Sequence, residues 1–378
     1  MDILEMVKSV EVSQESILNA LLGYIHSLCL GFGRYITQTR IQLIFTSEVT
    51  ELEHQLTTLS MDIKSLSLTL IPSYLIMLST LNGTEVSKSL KQFLVVLSMS
   101  GTSITSLQIA VVTLCAQQNM QEHVLSGLWE GVVHQRPGVR CAVATLFGSI
   151  IAHVSDRLVN TKIVPAIVTL ASDPDITVRS AAIPSLGRLI TECKVREVRD
   201  KARLTLETIA REPQGVSPTL AVPLVSTLAF ITPNCPQNYI EDVIATQLTG
   251  IAESAVHQGR KIDLVNALIE AYSVLVYCPL SIQCVSGVLL PGLKYLEQLV
   301  NQYLPQQKES VRSLLREVES RQDLSKPMER SSSMSSGLSL SMATVNVGQG
   351  VEDMRQRMSK IFQQKTSSPS MSSIFRKK

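Results

Sequence analysis

"DITVRSAAIPSLGRLI", Asp175 to Ile190, repeats the pattern of an earlier segment, "RPGVRCAVATLFGSII", Arg136 to Ile151. Val139-Arg140 falls on Val178-Arg179, Ala142 on Ala181, Gly148 on Gly187 and Ile151 on Ile190. Self-similarity at a fixed period of about 40 residues is the mark of stacked helix pairs, because one pair alone cannot bury its apolar faces. The segment before it, "NTKIVPAIVTL", together with the residue that follows, places Ile163, Ile167, Leu170 and Ala171 at i, i+4, i+7 and i+8. The repeated segment places Val178, Ala182, Ser185 and Leu189 at i, i+4, i+7 and i+11. These stripes predict two helices that bury each other. Ala181 and Ala182 keep the side chains short enough for close packing, and Pro165 and Pro184, lying inside helical patterns, predict kinks.

Outward from this pair, residues 1–322 keep helical periodicity broken by short turn signals, with no run of period-two alternation. "SPTLAVPLVSTLAFITP" (Ser217–Pro233) and "RKIDLVNALIEAYSVLVYCP" (Arg260–Pro279) hold helical spacing but lose Val-Arg and Leu-Gly, and "VLLPGLKYLEQLV" (Val288–Val300) reads as another proline-bearing outer helix. The expected fold is all-α, a helical-repeat solenoid over 1–322 with its clearest repeats in 120–212. Residues 323–350 are Ser- and Gly-rich and predict a flexible linker. Residues 351–378 predict an amphipathic helix and a basic tail: Val351, Met354, Met358, Ile361 and Phe362 share one face and form a candidate interaction helix.

Composition narrows the function. Hydrophobic residues make up 45% of the chain and aromatic residues only 4%, so the apolar mass is aliphatic and suits stacked helices. A formal charge of +2 is too small to drive nucleic-acid or anionic-membrane binding by itself. Seven dispersed cysteines without a CxxC pair fit free thiols in a reducing compartment, and the N-terminus does not read as a signal peptide; the expectation is cytoplasmic. Three uncharged stretches, Ser65–Thr84, Gln92–Gln121 and Ala271–Leu293, are studded with polar residues and read as buried helices rather than membrane spans.

No catalytic, metal or cofactor constellation is legible. Asp173, Asp175 and Arg179 resemble a reactive cluster only in isolation, since no histidine lies near them in sequence. Their structural reading is that Asp175 or Asp173 caps a helix and Arg179 bonds an aspartate of its own or a neighbouring repeat, with Arg140 one rung away. The six histidines show no metal-ligand spacing, "GFGRY" (Gly31–Tyr35) lacks the third glycine of a dinucleotide loop, and "GVSPT" lacks the closing glycine of a nucleophile elbow. Trp129 reads as a packing residue beside Leu125, Leu128 and Val132, with partner anchoring as the alternative.

Asp173, Pro174, Asp175, Val178, Arg179, Ala182, Leu186 and Gly187, with Pro165 on the preceding helix, resemble the HEAT-repeat family. Over its whole length the chain is similar to the C-terminal portion of the RELCH family of LisH, coiled-coil and HEAT-repeat proteins. The resemblance lies in "LWEGVVHQRPGVRCAVATLF", "VPAIVTLASDPDITVRSAAIPSLG", "LIEAYSVL", "LPGLKYL" and the terminal "IFRKK", and more faintly in "LCLGFGRYITQTRI". It implies an armadillo-type superhelix and a non-enzymatic adaptor that binds a recycling-endosome Rab GTPase and oxysterol-binding protein. It further implies cholesterol transfer toward the trans-Golgi network, with peripheral membrane association. No LisH motif or coiled-coil heptad run is visible, which leaves the family's dimerisation open. The alternative is a HEAT scaffold subunit of a phosphatase, transport or coat complex, which the repeats would serve equally well.

Overall fold

The computed structural model describes residues 5, 7, 15–55, 61–100, 103–211, 217–257 and 262–325. The chain divides into a unit of Met1–Val318 and a second unit of Glu319–Lys378, described only as far as 325. The regular elements among the described residues are helical, without strands. They run α1 Glu15–Ile36, α2 Gln42–Gln55, α3 Met61–Ser79, α4 Gly83–Ser100, α5 Thr105–Cys115, α6 Gln118–Val132, α7 Pro137–Ile150, α8 Val164–Ala171, α9 Ile176–Glu192, α10 Arg196–Ala210, α11 Pro218–Ile231, α12 Thr246–His257, α13 Ile262–Leu275, α14 Leu290–Tyr303 and α15 Lys308–Ser325.

The helices alternate between two layers. Along one layer α3, α5, α7, α9, α11 and α13 each pack on the next, and α1 packs on α3; along the other, α4 packs on α6, α6 on α8, α8 on α10 and α12 on α14. This is a solenoid, each pair burying its apolar faces against its neighbours. Ile163, Ile167, Leu170 and Ala171 on one side, and Val178, Ala182, Ser185 and Leu189 on the other, are all buried. The uncharged α3 stretch is core as well, with Leu70, Ile71, Leu75, Ile76, Met77 and Leu78 closed off from solvent. Among the described residues, the helical stretch long and apolar enough to cross a membrane is a different one, Ser16–His54, which is largely unburied.

The Leu-Gly signature marks where odd helices touch. A Cβ added to Gly148 of α7 would stand 2.2 Å from Ser185 Oγ of α9, and one on Gly187 of α9 would stand 2.6 Å from Thr227 Cγ2 of α11. Ser185 exploits the gap by donating to the Ala144 carbonyl at 2.7 Å. The repeat period therefore has a steric content: α7 and α9 must each present a position without a side chain to the next odd helix.

Prolines are handled in two ways. Pro165 does not sit in an ordinary α-turn. It follows a π-helical turn, Val159–Ile163, whose wider ring is closed by the Val164 N–H donating to Val159 O, so the proline enters at the first turn of α8. Pro291 enters α14 in the same manner after the π-turn Val285–Leu289, and a third π-turn, Ile240–Ala245, precedes α12. A widened turn thus stands directly before Pro165. Pro184 lies inside α9, and Pro223 lies inside α11, one period on. At the other end, α15 runs through Ser325 and so carries past residue 322 into the stretch expected as linker. The candidate interaction helix and tail, 351–378, lie outside the described residues.

Gly148→Ala and Gly187→Ala are expected to destabilise the protein by about 1–3 kcal/mol each, the usual result of overpacking a closed contact. Thermal melts of the single variants check this.

Candidate functional site: repeat turns and exposed faces

The turns entering α7 and α9 are built alike. Asp173 Oδ1 accepts from the Asp175 N–H at 2.9 Å, and His134, one period earlier, uses Nδ1 to accept from the Arg136 N–H at 3.1 Å. Asp175 then caps α9, its Oδ1 accepting from the Thr177 N–H at 2.8 Å and the Thr177 hydroxyl at 2.6 Å. Each turn is closed by an arginine from the first turn of the following helix. Arg179 Nη1 donates to the carbonyls of Asp173 and Pro174, and Arg140 Nη1 to those of His134 and Gln135.

Arg140 makes an ion pair between repeats. Its Nε donates to Asp173 Oδ2 at 2.7 Å and its Nη2 to Oδ1 at 2.9 Å, a bidentate grip with side chains only 13% and 8% exposed. Arg179, expected to bond an aspartate of its own or a neighbouring repeat, bonds the main-chain carbonyl of Asp173 in its own turn. The Asp173 hydrogen bond pushes the Arg140 guanidinium up, and the two bonds from Thr177 hold Asp175 below the ordinary aspartate range. These groups are occupied in holding turns together. Leu186, the last member of the repeat signature, is fully buried.

Further links join successive even-layer turns, where the sequence showed no signature. Gln121 Oε1 accepts from the Ser155 N–H at 3.3 Å, and Glu241 accepts from the Ser281 N–H at 2.8 Å and the Ser281 hydroxyl at 2.7 Å. Ser281 in turn caps the short helix Ile282–Cys284. Arg203 of α10 stands 5.3 Å over the Tyr239 ring. The recurring spacing of Ser155 and Ser281 ten residues before Pro165 and Pro291 was the available signal.

Nothing in the described residues assembles a reactive centre. No group of three or more His, Cys, Asp or Glu side chains is placed to hold a metal among them. The seven cysteines are free thiols, and burial pushes Cys115 up to about 12 and Cys278 and Cys284 up to about 11, which leaves them protonated and poor nucleophiles. Large apolar side chains stand exposed on the faces of the stack. Trp129, expected to pack, is 40% exposed on α6, while Leu125, Leu128 and Val132 are buried; Val133, one turn on from Trp129, is also exposed. The buried stripe of α6 is narrower than the spacing of Trp129 to Leu125 and Val132 suggests, and the indole lies at its solvent side.

Comparison with known proteins gives a consistent answer. Residues 67–317, from α3 into α15, match the family described as RAB11-binding protein RELCH C-terminal domain. Similar relatives include the RAB11-binding protein RELCH homolog of Danio rerio, 28% identical, and RAB11-binding protein RELCH of Homo sapiens, 26% identical; both alignments take in 100% of this chain, against 32% and 31% of the relative. The chain thus spans about a third of the length of these relatives. A solved engineered protein shares 15% identity over 61% of this chain and 98% of its own at a TM-score of 0.42, too distant to carry an argument.

Arg140→Ala or Asp173→Ala is expected to cost about 3 kcal/mol, because either change strands a mostly buried charge or its partner. Asp175→Ala is expected to lower the melting temperature at neutral pH. The folded pKa of Asp175 is depressed, so its contribution is complete above the ordinary aspartate value and lost as pH falls through the folded one. Melts across an acid series should show the gap between wild type and Asp175→Ala closing as pH is lowered.

Proposed function

The chain belongs to the RELCH family, and on that premise we propose that it is a non-enzymatic adaptor whose helical stack binds a RAB11-type Rab GTPase. The observation that carries the reading is the extent of the family match, 67–317, which is the stacked-helix array itself rather than an appended segment. The geometry agrees with such a role. Two layers of stacked helices offer long, shallow faces suited to a protein partner, while the buried polar side chains at the turns are consumed in joining repeats.

We place an anchor for the GTPase at Trp129 with Val133 beside it, since an exposed tryptophan at the rim of a packed face is the residue type that dominates interface energies. In the fuller reading the adaptor also engages oxysterol-binding protein and promotes cholesterol transfer from recycling endosomes to the trans-Golgi network, working at the cytoplasmic surface of both. That part rests on the family resemblance. Residues 351–378, with Val351, Met354, Met358, Ile361 and Phe362 at helical spacing in the sequence, are proposed on that pattern as a second interaction element.

Capture of the full chain on immobilised RAB11 tests the reading. The GTP-loaded form is expected to retain several-fold more chain than the GDP-loaded form, and Trp129→Ala to lower retention at least about tenfold, as loss of a hot-spot aromatic does. Equal retention by both nucleotide forms, or none by either, overturns the adaptor reading.

A further inference from the structure

The chain bends sharply inside α1. Gly33 stands at φ 74° and ψ 169°, a region that essentially only glycine occupies, and the helix is interrupted there. The bend is tight enough for the Thr37 hydroxyl to donate to the Cys29 carbonyl, eight residues earlier, at 3.0 Å. Cys29 and Thr37 are buried on its inner side, with Thr80, at the end of α3, within hydrogen-bonding reach of Cys29. The bend therefore lies on the edge of the stack, beside the turn from α3 to α4.

Its outer side is apolar and exposed. Leu30 is 59% exposed, Phe32 54%, Tyr35 77% and Ile36 40%, with Arg34 exposed among them and Arg40 just beyond. Other turns on this edge carry polar residues at their tips, Asn82, Gln117, Ser155 and Lys194, with Tyr277 and Ile282 the exception near the far end. A neighbouring repeat would not cover this apex, because repeats stack through helix faces and leave their turns on the edge. Ile17, Tyr24, Leu43 and Ile44 are exposed on the legs of the bend, on helix faces of the sort through which repeats stack.

We propose that the apex Leu30–Ile36 is a wedge that inserts into the interfacial layer of an anionic lipid bilayer. No Asp or Glu occurs between Ser16 and Ser47, and the charges there are Arg34 and Arg40, so the surface suits an apolar medium with anionic headgroups at its boundary. Tyrosine and phenylalanine beside an arginine are the side chains that sit at that depth, the rings among acyl chains and the cation among phosphates. The two glycines of "LGFGRYI" meet no atom that would hinder the approach of the backbone. Insertion of a few side chains with two cations gives weak, reversible binding, which would orient the stack on a membrane and add to a protein contact.

Co-sedimentation of the full chain with phosphatidylcholine vesicles, with and without about 30% phosphatidylserine, tests this. Wild type is expected to bind the anionic vesicles preferentially, F32S/Y35S to lower the partition coefficient about tenfold or more, and the leg variant L43S/I44S to leave it within about twofold. Leu30→Trp should show a blue-shifted emission on the same vesicles, with Trp129 on α6 giving the wild-type background. The wedge is overturned if wild type ignores anionic vesicles or if F32S/Y35S binds them as wild type does. It is also overturned if the apex instead drives lipid-independent self-association that F32S/Y35S abolishes in sedimentation.

Discussion

A two-helix repeat is too thin to bury both of its apolar faces, and the close contact between successive odd-layer helices is what resolves this. Gly148 against Ser185 and Gly187 against Thr227 are contacts with no room for a Cβ, and α7, α9 and α11 stack across them. A side chain at either glycine would push two helices apart and open the layer on both sides. The repeat period is therefore the distance along the chain between positions that have to be small, more than a record of sequence similarity. Where Leu-Gly is lost the register still shows. Lys91 bonds Glu130, Gln92 bonds Glu53 and Thr249 donates to the Val288 carbonyl, each pair separated by the same 39 residues.

The polar residues of the best repeats serve this stack. Asp173 bonds to Arg140 from the repeat before, to the Asp175 N–H of its own turn, and through its carbonyl to Arg179. One carboxylate thereby ties two turns together, and both of its oxygens are occupied. Glu241 does similar work further along, holding the start of the short helix at Ser281. Such groups resemble catalytic clusters when read along the chain, and the hydrogen bonds show why they are unavailable for chemistry. A stacked array has two kinds of surface. Its helix faces are long, with Trp129 exposed on one of them; its edges are rows of turns, of which the Gly33 apex is the most apolar near the N-terminal end.

Much of this architecture is legible in the chain, for reasons that can be named. Ile163, Ile167, Leu170, Val178, Ala182, Ser185 and Leu189 follow helical spacing strictly, and periodicity depends only on the local geometry of the helix. The cap at Asp175 is legible as a local bond two residues long. The choice of Arg140 over Arg179 as the partner of the Asp173 carboxylate is not, since both arginines stand in equivalent places and only the offset of one repeat on the next decides which reaches it. The exposure of Trp129 is hidden for a similar reason. Its spacing to Leu125 and Val132 allows a buried position, and the width of the buried stripe is set by α4 and α7 packing against α6.

Spacing within one or two turns of chain is enough to specify an all-helical repeat of about 39 residues and the helix starts at its turns. The rest follows from how repeats meet. Their packing set which carboxylate meets which guanidinium. It also made Gly33 a bend with an exposed apolar apex, where the residues in order offered only an incomplete glycine loop. These outcomes depend on where one repeat lies against the next, a distance that no local pattern encodes.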